Sequence, residues 1–276
     1  MWIAVLSGKG GTGKTTVAAS LAAVIPGCQY VDCDVEEPNG AIFLKPEITA
    51  TLPVAVPVPQ VDAARCSSCG ACAVACQFNA IAVINKTVLT FPEICHHCGA
   101  CSLACPTGVV SETEREIGAI EQDKVGNFRH GRLNIGEPVG IPIIRALKEK
   151  ASREATVIFD CPPGASCAVV RSLDEVDYCL LVTEPTPFGL HDLKIAVELI
   201  RQMDLPAGVI INKSDGSAET IRAYCREAGI PVRLEIPFST AIAANYSRGI
   251  LPVAADPKWA GKFTDLASQL AEEVGR

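Results

Sequence analysis

The chain has 276 residues, 49% of them hydrophobic, with 24 Lys and Arg against 31 Asp and Glu and a formal charge of −7. That length supports one large α/β domain or a medium domain with a small one, and the acidic balance argues against broad attraction to nucleic acid or anionic lipid. No apolar run reaches the roughly 18 residues of a spanning helix, and no basic segment precedes the apolar run Trp2–Leu6 as an export signal requires; a cytoplasmic chain without stable membrane anchoring or a nucleic-acid partner is expected.

Directly after that first apolar run, taken as a strand, comes SGKGGTGKTT, Ser7 to Thr16, and then the helix-like TTVAASLAAVI. Gly8, Gly13, Lys14 and Thr15 fit the phosphate-loop pattern G-x-x-x-x-G-K-S/T, with Lys9, Gly10, Gly11, Thr12 and Thr16 completing the loop. Glycines let backbone N–H groups curl around phosphate oxygens, and the following helix N-terminus adds partial positive charge. Lys14 is placed to reach the β- and γ-phosphates, and the Thr15 hydroxyl to sit on Mg²⁺. The loop by itself calls for a nucleoside triphosphate without naming the base.

A second strand, Gln29–Val31, ends in Asp32 and Asp34. Ligands gather at strand C-termini in open α/β sheets, so Asp34 is a candidate to orient water towards a γ-phosphate and Asp32 to assist the Mg²⁺ shell. The proline-rich segment 46–60 reads as a linker or edge segment, since proline lacks the N–H a helix needs.

The composition then changes. Of the 14 cysteines, eight fall in two copies of C-x2-C-x2-C-x3-C: Cys66, Cys69, Cys72, Cys76 and Cys95, Cys98, Cys101, Cys105. This is the ligand spacing of a two-cluster [4Fe–4S] ferredoxin, whose fourth cysteine serves the other cluster. One cluster is therefore expected on Cys66, Cys69, Cys72 and Cys105, the other on Cys95, Cys98, Cys101 and Cys76, each fourth cysteine opening a short helix. Zinc is the rival, but its ligands usually come as two separated pairs. Pro106 follows the second run, whereas Gln77 stands after the first. His96 and His97 inside the second run read as surface loop residues, with proton-coupled electron transfer as the alternative. Most of Cys28, Cys33, Cys161, Cys167, Cys179 and Cys225 read as small core hydrophobes, with a metal bridge between Cys161 and Cys167 as a lesser alternative.

After Ser111 the α/β pattern returns. A helix is expected over 142–151, then the apolar strand 155–159 ending in Asp160-CPPG. An apolar strand ending in Asp beside a phosphate loop is the Walker B arrangement, with the carboxylate on Mg²⁺, and Gly164 offers a backbone amide to the γ-phosphate. Strands at 178–183, 208–211 and 232–236 and a helix at 189–203 follow. Asn212 either holds a base edge or caps the next segment, and Pro237-Phe238-Ser239 offers a backbone wall for the base. A last helix, 258–274, carries Trp259, Phe263, Leu266 and Leu270 on one stripe and is expected to dock on the domain. The expected fold is α/β, a mostly parallel sheet with helices on both faces, divided as 1–60 and 113–276 around an inserted ferredoxin-like α+β domain, 61–112.

KGGTGKTT at Lys9–Thr16, DCDVEEPN at Asp32–Asn39, DCPPG at Asp160–Gly164, VTEPTPFGLHDL and INK together resemble the MinD/ParA/Mrp ATPases with a deviant phosphate loop, a group that includes the nitrogenase iron protein. The resemblance covers nearly all of 1–60 and 113–276, and the segment between resembles a two-cluster ferredoxin. It implies ATP as the nucleotide and a homodimer closed around it. Lys9 then matches the lysine that crosses to the partner's phosphates, Asp34 the residue that positions the attacking water, and Asn212 the adenine-side asparagine. The expected function is an ATP-hydrolysing dimeric switch that couples nucleotide state to electron transfer through two clusters to a redox protein partner. The alternatives are an iron–sulfur cluster carrier, against which Cys225 stands alone near the C-terminus, and a positioning or scaffold ATPase with structural or sensory clusters.

Overall fold

A computed structural model describes residues 1–275. In chain order the elements are β1 (Trp2–Leu6), α1 (Lys14–Val24), β2 (Gln29–Asp32), α2 (Gly40–Leu44), β3 (Ile48–Val61), α3 (Ala71–Ala75), β4 (Ile81–Ile84), β5 (Thr87–Thr90), α4 (Ala100–Leu103), β6 (Val110–Asp123) and β7 (Phe128–Leu133). There follow α5 (Ile141–Glu149), β8 (Val157–Asp160), α6 (Cys167–Leu173), β9 (Tyr178–Thr183), α7 (Pro187–Gln202), β10 (Ala207–Ser214), α8 (Glu219–Ala228), β11 (Val232–Pro237), α9 (Thr240–Tyr246), α10 (Pro252–Ala255) and α11 (Pro257–Val274).

One nine-stranded sheet runs β11-β10-β9-β1-β8-β2-β7-β6-β3. The ladders from β11 through to β7 are parallel, while β7–β6 and β6–β3 are antiparallel. The buried central strands alternate between faces. Trp2, Ala4 and Leu6 of β1 enter one core, with residues of α5, α6, α7 and α8; Ile3 and Val5 enter the other, with α1 and α11. Burial on both faces is why β1, β8 and β9 read as continuous apolar runs rather than as alternating ones. The apolar stripe of α11, Trp259, Phe263, Leu266 and Leu270, is buried in the second core, each side chain contributing roughly 1.5–3 kcal/mol of transfer free energy. No helix among the described residues is long and apolar enough to cross a membrane.

The proline-rich segment resolves as β3, the outer edge strand, paired with β6 from Ile48↔Asp123 to Val61↔Val110. Pro53, Pro57 and Pro59 are tolerated because an edge strand needs only half its backbone groups for the ladder. Between the far ends of β3 and β6 lie α3, α4 and the two-stranded β4–β5 hairpin, which turns at Asn85 and Lys86, both at positive φ, as a tight hairpin connection requires. One expectation is corrected here. The fourth cysteine of a run does not open a helix: Cys72 lies within α3 and Cys76 closes it as C-cap, while Cys101 lies within α4 and Cys105 follows it.

Candidate functional site

The phosphate loop joins β1 to α1. Gly13 precedes α1 at φ 91°, and no side chain caps that helix start, so its first N–H groups remain open to an anion. Gly13 is also required sterically, because a Cβ there would lie 2.1 Å from Asn212 Nδ2. That amide donates to Thr12 O at 2.7 Å, and Lys213 Nζ donates to Gly11 O at 2.6 Å. The Asn212-Lys213 pair therefore braces the loop from behind. Thr12 Oγ1 is buried with no partner.

Lys14 is buried and paired with Asp160, with Asp34 Oδ2 3.9 Å away. Burial pushes its amine down, but Asp160, Asp32 and Asp34 outweigh it and hold the pKa above the ordinary lysine value. The other Asp160 oxygen accepts the Tyr30 hydroxyl at 2.8 Å. Burial, then the charge of Asp160, keeps Tyr30 well above its usual range and so protonated. Asp32 pairs with Asp160 in the β2–β8 register, yet its oxygens serve the backbone: Oδ1 accepts Asp34 N–H at 3.1 Å, and Oδ2 accepts Asn39 and Gly40 N–H at 3.2 and 3.0 Å. Asp32 thus shapes the loop that presents Asp34. Burial raises the Asp34 carboxyl to about 6 against the pull of Lys14.

Lys9 turns back onto Glu184 of its own chain, and Lys213 approaches the same carboxylate at 3.4 Å. Gly164, at φ 90°, donates its amide to Ser7 O at 2.9 Å. Beside the loop opens a cavity of about 270 Å³ lined by Gly13, Val17, Asn212, Pro237, Phe238 and Tyr246. An uncapped glycine-rich helix start, an orphaned Thr12 hydroxyl, a buried lysine and an adjoining apolar cavity suit a nucleotide with its Mg²⁺.

Along 61–112, Cys76, Cys95, Cys98 and Cys101 line one shallow recess, and Cys66, Cys69, Cys72 and Cys105 line another. The two copies repeat each other in backbone detail. Ser68 and His97 are both left-handed, with φ 56° and 58°, and each donates its N–H back to the first cysteine of its run at 3.4 Å. Gly70 and Gly99 then begin α3 and α4 at φ 82° and 70°. Cys69 and Cys98 are exposed. His96 stacks on Phe78 with ring centroids 3.6 Å apart, while both ring nitrogens of His97 are buried without partners. Among the described residues no group of three His, Cys, Asp or Glu side chains is set to hold a single metal ion. Cys28, Cys33, Cys161, Cys179 and Cys225 are buried, as expected of most of the six, whereas Cys167 is exposed.

Sequence reasoning missed Tyr30 and Glu184. Tyr30 was visible in principle: two residues before Asp32 on a strand, it shares that residue's face. Glu184 gave no local signal, because its partners are 175 and 29 residues away.

A mostly parallel sheet with a glycine loop between its central strand and a helix defines a P-loop nucleoside-triphosphate-binding α/β protein. More closely, residues 3–253 match the CobQ/CobB/MinD/ParA nucleotide-binding domain, and the chain belongs to that family. It is 28% identical to an uncharacterized protein of Methanocaldococcus jannaschii over 90% of each chain. It is 22% identical to an iron–sulfur cluster carrier protein of the same organism, over 99% of this chain and 84% of that one. Among solved structures it is similar in fold to the septum site-determining protein MinD of Pyrococcus horikoshii complexed with Mg-ADP, with a TM-score of 0.57 and 21% identity over 99% and 97% of the two chains.

Proposed function

We propose that the chain is an Mg-ATP-hydrolysing dimeric switch whose nucleotide state governs electron transfer through two [4Fe–4S] clusters held by the 61–112 insert. The observation that carries the redox half is the pair of four-cysteine recesses, each taking three sulfurs from one run and the fourth from the other. A single zinc needs four sulfurs at about 2.3 Å from one point, whereas a cubane presents its irons at four corners and takes a wider set. Backbone N–H bonds to cysteine sulfur, as from Ser68, Ala80 and His97, stabilise the anionic cluster and tune its potential.

In the nucleotide half, Lys14 and the open N-terminus of α1 hold the phosphates, Thr15 and Asp160 hold Mg²⁺, and Asp34 orients water. Asn212 and Pro237 border the base, and Gly164 exchanges its bond to Ser7 for one to the γ-phosphate. Lys9 leaves Glu184 to reach the partner's nucleotide. With both oxygens of Asp32 engaged by backbone amides, its part in the Mg²⁺ shell is indirect. The test is anaerobic purification with iron and sulfide analysis, followed by cluster oxidation rates with Mg-ATP, Mg-ADP and no nucleotide. Two clusters per chain and a nucleotide-dependent rate are expected; iron-free protein, or one rate in all three conditions, ends the redox reading.

A second reading, cluster delivery, is favoured by the carrier-protein relative. Against it, Cys225 is buried. Transfer of a cluster to an apo-protein would support delivery over electron transfer.

A further inference from the structure

The insert and the nucleotide site are joined by more than the two strands that carry the insert. Val35 follows Asp34, and its carbonyl accepts Leu133 N–H at 2.8 Å. Its methyl groups are wedged against Gly131 and Gly140, where an added Cβ would lie 2.7 and 2.5 Å from them. The segment between those glycines carries Glu137, whose side chain is only 6% exposed. Glu137 receives both arms of the Arg115 guanidinium from β6. The same guanidinium donates to Pro92 O at 3.4 Å, and that carbonyl also accepts the N–H of Cys95 at 3.2 Å. Cys95 is itself part of the main core, with Val56 and Val58 of β3. The other recess differs, for every residue lining it lies between Cys66 and Val110.

We infer that Arg115 and Glu137 form a strut through which the Asp34–Val35 segment and the Cys95 recess act on each other, with the Cys66 recess outside the link. The inference rests on the reading that the loop takes Mg-ATP and the recesses hold clusters. A two-armed arginine–carboxylate pair is directional as well as strong, and separating it inside the protein leaves a poorly solvated charge. A displacement of Val35 is therefore passed to Pro92 and Cys95 rather than absorbed. Linkage makes the effect reciprocal: the state of the Cys95 recess alters nucleotide affinity by the same factor.

The test is hydrogen–deuterium exchange on the full, anaerobically purified chain, with and without Mg-AMPPNP, in wild type, Glu137→Gln and Arg115→Lys. In wild type, exchange over 91–98 changes roughly fivefold or more and exchange over 66–76 less than about twofold. In both variants the change over 91–98 disappears while nucleotide still protects 8–16. A variant that keeps the response over 91–98, or an equal response over 66–76, overturns the strut. Protection of 8–16 in wild type with no response at 91–98 overturns the strut alone; absence of protection at 8–16 overturns the nucleotide reading with it.

Discussion

The Tyr30 hydroxyl donates to Oδ2 of Asp160 at 2.8 Å, on the far side of the carboxylate from Lys14. It fixes the rotation of an acid that no solvent reaches. Without it Asp160 is free to turn both oxygens toward Lys14, and on the proposed reading Mg²⁺ then competes with that pair. Tyr30→Phe keeps the ring stacked on Phe128 and is expected to raise the half-saturating Mg²⁺ for ATP hydrolysis roughly tenfold, as loss of a supporting bond to a metal-binding carboxylate does. An Mg²⁺ titration unchanged from wild type would refute the assignment.

Asp34 should reveal itself in the pH dependence of stability. Its folded pKa of about 6 lies above the ordinary 3.8, so the folded chain holds this proton across a window where the unfolded chain has lost it. Wild-type stability from this group falls as pH rises from about 4 to 6, and the cost is complete above that. Nucleotide-free Asp34→Asn lacks the cost and should be more stable at pH 8 by roughly 2–3 kcal/mol, with the two chains converging near pH 4. Urea unfolding at pH 4, 6 and 8 reads this directly. A constant difference across the series would show that the carboxyl is not raised.

Lys9 is held by Glu184 within its own chain. The pair is half-buried but still reached by solvent, and such a pair contributes about 1 kcal/mol, small enough for a partner's phosphates to displace it. Glu184→Gln should lower the dimer dissociation constant in Mg-AMPPNP by up to about fivefold, whereas Lys9→Ala should leave the chain monomeric. Sedimentation velocity distinguishes the two, and equal dimerisation in all three proteins would remove Lys9 from the interface.

The crossed cysteine grouping predicts which variants behave alike. Cys76→Ser, although it lies in the first run, should perturb the same electron paramagnetic resonance signal as Cys98→Ser, and Cys105→Ser the same signal as Cys69→Ser. If Cys76→Ser instead matches Cys69→Ser, each run serves its own cluster and the recesses have been misread.

The phosphate loop was legible because its chemistry needs fixed local spacing, and the cysteine runs because one short spacing occurs twice. So were the buried strands, whose apolar runs follow from burial on both faces. The edge strand β3 was half legible: its prolines excluded a helix, but only the β6 partner, 51 residues onward at Ser111↔Gln60, decides between strand and linker. Local reasoning offered Asp32 as an assistant to the Mg²⁺ shell; what it did not foresee is that the oxygens accept the amides of Asp34, Asn39 and Gly40. Asn212 was weighed between base and cap; the structure has it bonded to Thr12 O, 200 residues away, on the wall of the cavity beside the loop. Arg115 and Glu137 carry no motif, since a salt bridge between distant segments leaves no periodic trace.

Val61 faces Val110 across the β3–β6 ladder, and Asp62 N–H still reaches Val109 O at 3.0 Å. The chain therefore departs and returns at adjacent rungs. To the host sheet, residues 62–109 are the loop of a long hairpin, yet Ala80 and Cys95 from that loop pack into the main core and Pro92 O meets Arg115 of β6. An accessory carried this way is spliced at one point but keyed to its host by side chains, so exchanging it means rebuilding those contacts as well as the splice.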